Sequence, residues 1–144
     1  MLYTSPDLLP EKFTRTSIFV AGGISNCPDW QSQVVAIMDC DKYDVVNPRR
    51  VGGFDITGLS AREQITWEHQ ALDMVDVCLF WFPCETLCPI TLLELGVMLE
   101  RAAHKSVRLA VGWHPQYARS FDLDVQIGLA RHSHNNIIHY GEGW

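Results

Sequence analysis

The stretch Val77-Cys-Leu-Phe-Trp-Phe-Pro-Cys-Glu-Thr-Leu-Cys-Pro-Ile-Thr-Leu-Leu-Glu-Leu-Gly-Val-Met-Leu99 decides how the chain folds. Its first six residues, Val77 to Phe82, are apolar and aromatic without polar alternation. That is the pattern of a strand covered on both faces, as in a parallel sheet. Pro83 ends the strand, and Pro89 to Thr91 open a helix expected to run to about His104. Glu94 is the odd residue in that helix. At about 100° per residue, Ile90, Leu92, Leu93, Leu95, Val97, Met98 and Leu99 make nearly every direction around the axis apolar. Three and four residues away stand only Ile90, Thr91, Val97 and Met98, so no cation is in local reach. A carboxylate is costly to keep in such company unless it is used. Its side chain tilts back towards the preceding loop, where the helix dipole favours the ionised form. This suits an ionised, poorly hydrated nucleophile at the carboxyl end of a parallel strand.

Outward from this stretch, strands and helices alternate. Residues 1–14 hold two prolines and no periodicity, and read as an arm. Ser17 to Ala21 is a strand stopped by Gly22-Gly23, and Asn26 or Asp29 caps a helix from Trp30 to about Met38. Tyr43 to Val46 is a second strand, closed by Asn47-Pro48, and Arg49 to Leu59 reads as a loop. Ser60-Ala-Arg-Glu63 has the form of a capping box and opens a helix to about Val75. Beyond the central strand and helix, Ser106 to Gly112 is a strand, Trp113 to Arg119 a loop, Phe121 to Ala130 a helix and Asn136 to Tyr140 a last strand. The expected architecture is α/β, a single domain with one doubly wound, mostly parallel sheet of about five strands and helices on both faces. Sites in such sheets lie beyond the carboxyl ends of the strands. That rule gathers Gly22, Gly23, Asn47 to Arg50, Pro83 to Cys88 and Trp113 to Arg119 on one rim, with Glu94 facing it.

Bulk properties narrow the function. The formal charge of −6 disfavours a nucleic-acid polymer or a membrane surface as partner, but leaves room for one small phosphate held by local arginines. No apolar run reaches the length of a membrane span, and the opening residues lack the form of a signal peptide. Five cysteines make an odd count without paired C-x-x-C spacing. They read as reduced thiols of a cytoplasmic protein, with no zinc site and no disulfide frame. The histidines His132, His134 and His139 lack metal-ligand helix spacing and read as surface loop.

A second carboxylate stands out on the helix from Ser60. Ala61, Ile65, Ala71, Leu72 and Val75 draw its apolar arc, and Glu68 falls within that arc. Either the helix is slightly rotated and Glu68 sits at its edge, or the carboxylate faces a ligand as hydroxyl acceptor or proton donor. Two carboxylates in unlike surroundings can divide the nucleophile and acid roles of glycosidic-bond cleavage.

These residues resemble the nucleoside 2-deoxyribosyltransferase family, particularly its short members. The resemblance covers roughly Ser17 to Gln126. It is carried by Ile18-Phe-Val-Ala-Gly22, Trp67-Glu68-His69, Asp76-Val-Cys-Leu-Phe-Trp-Phe-Pro83 and Ile90-Thr-Leu-Leu-Glu-Leu-Gly96. It implies a flavodoxin-like (Rossmann-like) sheet and N-glycosidic cleavage by a glutamate nucleophile, matched here by Glu94. The family's sugar-contacting acidic residue matches Glu68. Phe19 stands where some relatives carry a tyrosine near the site. Six residues before the nucleophile, relatives have an aspartate or serine that helps with the base or phosphate; this chain has Cys88, and a thiol is a poor substitute for a carboxylic acid.

The resulting expectation is a homo-oligomeric enzyme that needs no cofactor and acts on a nucleoside or nucleotide. Glu94 and Glu68 form its catalytic pair; Phe19, Gly22, Gly23, Asn47, Arg49, Arg50, Pro83, Cys88 and Asp124 are its substrate-binding set. Gly22 and Gly23 would let the sugar or base approach the backbone. Arg49 and Arg50 read equally as ligands of a 5′-phosphate or as solvated surface arginines. Trp81, Phe82 and Trp113 read as core, or else as stacking surfaces for a base. The terminal Gly141-Glu-Gly-Trp144 is placed across a subunit contact. Two further readings stay open: a non-catalytic nucleotide sensor on the same sheet, and an electron carrier, against which the hydroxyl-poor loop Gly22 to Asn26 speaks.

Overall fold

A computed structural model describes residues 1–53, 58–104, 107–133 and 135–140. It has six strands: β1 (Leu2–Thr4), β2 (Ser17–Gly22), β3 (Asp44–Asn47), β4 (Val77–Phe82), β5 (Arg108–Trp113) and β6 (Ile137–Tyr140). The four helices are α1 (Trp30–Ile37), α2 (Gly58–Met74), α3 (Pro89–His104) and α4 (Ser120–Ser133). The strands form one sheet in the order β1-β3-β2-β4-β5-β6, and every described register is parallel. With β1 set aside, the order is that of a flavodoxin-like doubly wound sheet.

The sheet has six strands rather than five. The extra strand comes from the segment read as an arm, because three residues are too few to show a period. β1 pairs with β3, Leu2 opposite Val45 and Thr4 opposite Asn47. The rest of the segment is also tied down. Ser5 N donates to Asn47 O at 3.1 Å, and Trp67 Nε1 donates to the carbonyl of Asp7 at 2.7 Å. Phe13 is buried, with its ring edge-on to Tyr3.

The residues group into two compact units, Met1–Val20 with Asp29–Asp76, and Ala21–Pro28 with the chain from Val77 onward. In the first, Phe19, Val20, Val45, Val46, Trp67 and Ala71 form the core. Asp29 rather than Asn26 caps α1, its Oδ1 accepting from Ser32 N at 3.0 Å. Helix α2 begins at Gly58, so Ser60 lies inside its first turn and not at its cap. The buried stripe of α2 is Ala61, Gln64, Trp67, Ala71 and Leu72, whereas Ile65 is 62% exposed. Apolarity alone had drawn the arc one step too far round, because it excluded the buried glutamine.

In the second unit, Cys78, Phe80 and Phe82 of β4 alternate with half-exposed neighbours, and Leu109, Val111 and Ile137 complete the core with Leu95, Met98 and Ile127. Trp113 ends β5 rather than opening a loop, and its ring stacks on His139 at 5.4 Å. His139 is therefore part of strand β6 and not of a surface loop. The start of the expected strand at Ser106, His134, part of the loop at 54–57 and the terminal Gly141–Trp144 lie outside the described residues. Among the described residues no helix is long and apolar enough to cross a membrane.

Candidate functional site

The central stretch forms the expected strand, loop and helix, with β4 fully buried on one face only. Strand β4 ends at Phe82, whose carbonyl accepts from His114 N at 2.9 Å, and the buried Pro83 turns the chain into a loop. Tyr117 Oη donates to Leu87 O at 2.8 Å and ties down that loop. Cys88 precedes α3 at φ +49, a left-handed conformation that few side chains adopt, and its carbonyl accepts the helical bond from Leu92 N at 3.0 Å.

Gly23, Pro83 and Cys88, three of the expected substrate-binding residues, meet in one knot. A Cβ on Gly23 would stand 2.9 Å from Cys88 Sγ, 2.9 Å from Pro83 Cγ and 3.1 Å from Thr86 Cγ2. The close approach that requires glycine is thus made by the protein's own loop. The Cys88 thiol is 5% exposed. Burial first, then the neighbouring Cys27, push it up to about 11 against the opposing hydrogen bonds from Gly23 N and Thr86. It stays neutral at physiological pH.

Glu94 lies on α3, half-buried. The faces of the helix divide as the all-apolar wheel does not show: Thr91, Leu95, Met98 and Ala102 are buried, while Ile90 and Leu93 are 61% and 66% exposed. The carboxylate's charge reaches the buried thiol of Cys78 on β4. Burial raises that thiol most, Glu94 raises it further, and Arg101 opposes both. Arg101 stands two turns beyond Glu94 on the same side of the helix, outside the window of three and four residues. A positive charge therefore reaches the neighbourhood of Glu94's thiol neighbour from a distance that local spacing did not survey.

The second carboxylate belongs to a polar cluster in the first unit. Glu68 is half-buried; desolvation raises its pKa above the usual 4.5, against a hydrogen bond from Gln64 and the charge of Arg50. Gln64 Nε2 donates to Glu68 Oε1 at 2.7 Å and to Pro48 O at 2.8 Å. Gln64 Oε1 accepts from Ser5 Oγ and Arg50 Nε, each at 2.6 Å.

Both arginines are half-buried and bonded within the protein. Arg49 Nε donates to Gln31 Oε1 at 2.9 Å and faces Asp29 Oδ1 at 3.2 Å, with the side chain 17% exposed. Against its partial burial, the hydrogen bonds from Ser32 and then the charge of Arg49 lower the Asp29 carboxyl. Asn47 supports the turn, its Oδ1 accepting from Arg49 N at 3.0 Å. Arg50 spends Nε on the glutamine, while its buried Nη2 has no hydrogen-bond partner among the described residues.

The other expected residues are placed as follows. Phe19 is 1% exposed and packs on Trp67 at 6.5 Å between ring centres, within the core. Gly22 ends β2 and is half-exposed. Asp124 is exposed on α4 and pairs with His139 Nε2 at 3.4 Å. Phe82 and Trp113 are core residues. Sequence reasoning missed Ser5, Gln31 and Gln64. Gln64 stands one turn before Glu68, a spacing that could have revealed it; Ser5, 59 residues away, left no local signal.

With this geometry in hand, a family model described as nucleoside 2-deoxyribosyltransferase like matches residues 15–117. The chain belongs to this nucleoside 2-deoxyribosyltransferase-like family. The match takes in Glu68, Cys88 and Glu94, and it leaves out Ser5 and Asp124. No curated protein matches the chain.

Proposed function

We propose that the chain cleaves the N-glycosidic bond of a (deoxy)ribonucleoside or its 5′-phosphate, with Glu94 as nucleophile. The supporting observation is a half-buried carboxylate on a mostly apolar helix, inside the family-matched stretch. A Glu94 oxygen bonds to C1′ through an oxocarbenium-like transition state, and the C1′–N bond breaks with its electron pair leaving on the base. The glycosyl ester then passes its sugar to a second base or to water, making the protein a transferase or an N-glycosidase. Glu68 holds or polarises a sugar hydroxyl. Cys88 is a weak acid for the departing base, since burial pushes its thiol up to about 11. Of the two arginines, Arg50 is the better phosphate ligand, because its buried Nη2 awaits an acceptor. Incubating a nucleoside and nucleotide panel with wild type and Glu94→Ala tests the reading. Equal base release by both proteins removes Glu94 from the mechanism.

Cys88, a thiol where an acid is expected, favours a second reading, in which the same fold binds a nucleotide without cleaving it. Saturable binding with no base released over hours supports that sensor.

The exposed Ile90, Leu93 and Val97 lie three and four residues apart on α3, and Leu93 and Val97 line a shallow apolar groove with Leu92, Gly96 and Arg101. This stripe supports a homo-oligomer, in which a second copy covers α3. Light scattering that gives a monomer at micromolar concentration would exclude it.

A further inference from the structure

The amide of Gln64 has all four of its hydrogen-bonding positions in use. Its oxygen accepts from Ser5 Oγ and Arg50 Nε, and its nitrogen donates to Pro48 O and Glu68 Oε1. Arg50 Nε can only donate and the Pro48 carbonyl can only accept, so the amide fits one way round. A flipped amide would set N–H against N–H on one side and oxygen against oxygen on the other. Ser5 closes the ring, its oxygen accepting from Arg50 Nε at 3.1 Å while its hydroxyl serves Gln64. Gln64 is 1% exposed and Ser5 3%, so bulk water does not substitute for either.

We propose that Gln64, locked by Ser5 and Arg50, is the positioning residue for Glu68: it ties Oε1 to the protein and dedicates Oε2 to the substrate. The inference rests on the reading of Glu68 as a sugar contact. An oxygen that already accepts a 2.7 Å bond is a poor place for a proton, so any proton on this carboxyl sits on Oε2. The substrate then meets one oxygen of fixed direction and defined protonation. Part of the lock is outside the family-matched residues, since Ser5 precedes residue 15.

The test is a 13C NMR titration of the glutamate side-chain carboxyls, with the Glu68 signal assigned by its loss in Glu68→Gln. Gln64→Met keeps length and removes the donor, and should raise the Glu68 midpoint by about one pH unit. Ser5→Ala leaves Gln64 in place but removes one of its locks, and should move the midpoint the same way by less. A residue that merely stabilises the helix would lower stability and leave the midpoint unmoved. An unchanged midpoint in folded Gln64→Met overturns the proposal, and if that variant does not fold, an unchanged midpoint in Ser5→Ala does so. The titration uses no substrate. It therefore fails separately from the reading of Glu68 as a sugar contact, which fails when Glu68→Gln leaves turnover intact.

Discussion

Gly23 and Cys88 are in such close contact that the space where a side chain would begin on one is filled by the sulfur of the other. The separation from a Cβ on Gly23 to Cys88 Sγ would be 2.9 Å, and Pro83 Cγ would stand at the same distance. One proline ring and one strained residue at φ +49 have little freedom to retreat. Gly23→Ala should therefore destabilise the fold by about 1–3 kcal/mol through overpacking. Urea unfolding measures this, and Cys88→Ala in the same background should restore part of the loss. A neutral Gly23→Ala would mean that the loop yields freely.

The thiols should separate by reactivity. Cys88 and Cys78 are buried, and burial leads the rise in both thiols. Cys27 and Cys40 are half-exposed. Since the thiolate is the reacting form, alkylation at pH 7.5 should modify Cys27 and Cys40 well before Cys88 or Cys78. Peptide mapping by mass spectrometry after timed quenching reads the order. Early labelling of Cys88 would contradict its placement and its neutral state.

Glu68 should give stability a pH dependence. Its pKa is higher in the folded chain than the usual 4.5, so the folded state binds the proton more tightly than the unfolded chain does. That contribution is complete below 4.5 and is lost as pH rises through the folded value. Glu68→Gln carries no such titration. Urea unfolding of both proteins from pH 4 to 8 should show wild type losing ground to Glu68→Gln across this window. Parallel curves would place the carboxyl in water.

The two arginines should behave differently under substitution. Arg49 anchors the cap of α1 through Gln31 and Asp29, so Arg49→Ala should cost about 1–3 kcal/mol of stability and leave substrate preference alone. Arg50→Met should weaken a nucleotide more than the matching nucleoside, because it removes the unpartnered Nη2. Competition binding with the two ligands gives the ratio. An unchanged ratio in Arg50→Met excludes the phosphate role.

Much of this architecture was legible in particular residues. The unbroken apolar run Val77 to Phe82 and the alternation of strands and helices pointed to the parallel α/β sheet. Strand β4 is nevertheless fully buried only on the face of Cys78, Phe80 and Phe82 and half-exposed on the other, against the expected cover on both faces. β1 was not legible, since its pairing with β3 depends on residues more than forty positions apart. Glu68 and Glu94 were visible as acids on apolar helix faces. What surrounds them was not. The Gln64 lock depends on Ser5 and Arg50 arriving from distant segments, and the charge of Arg101 falls beyond the spacing at which neighbours on a helix are usually compared. Cys88 was noticed as a chemical departure, but its contact with Gly23 appears only when the chain is folded.

The short β1 has a bearing on solubility. It is the outermost strand beside β3, and with three residues it presents few bare backbone groups to solvent. Were it peeled away, the outer margin of β3, with Val45 and Val46 wholly buried at present, would lie open to the backbone of another chain. Such margins invite strand-to-strand clumping. The first four residues thus act as a hem that keeps the sheet from growing sideways into its neighbours.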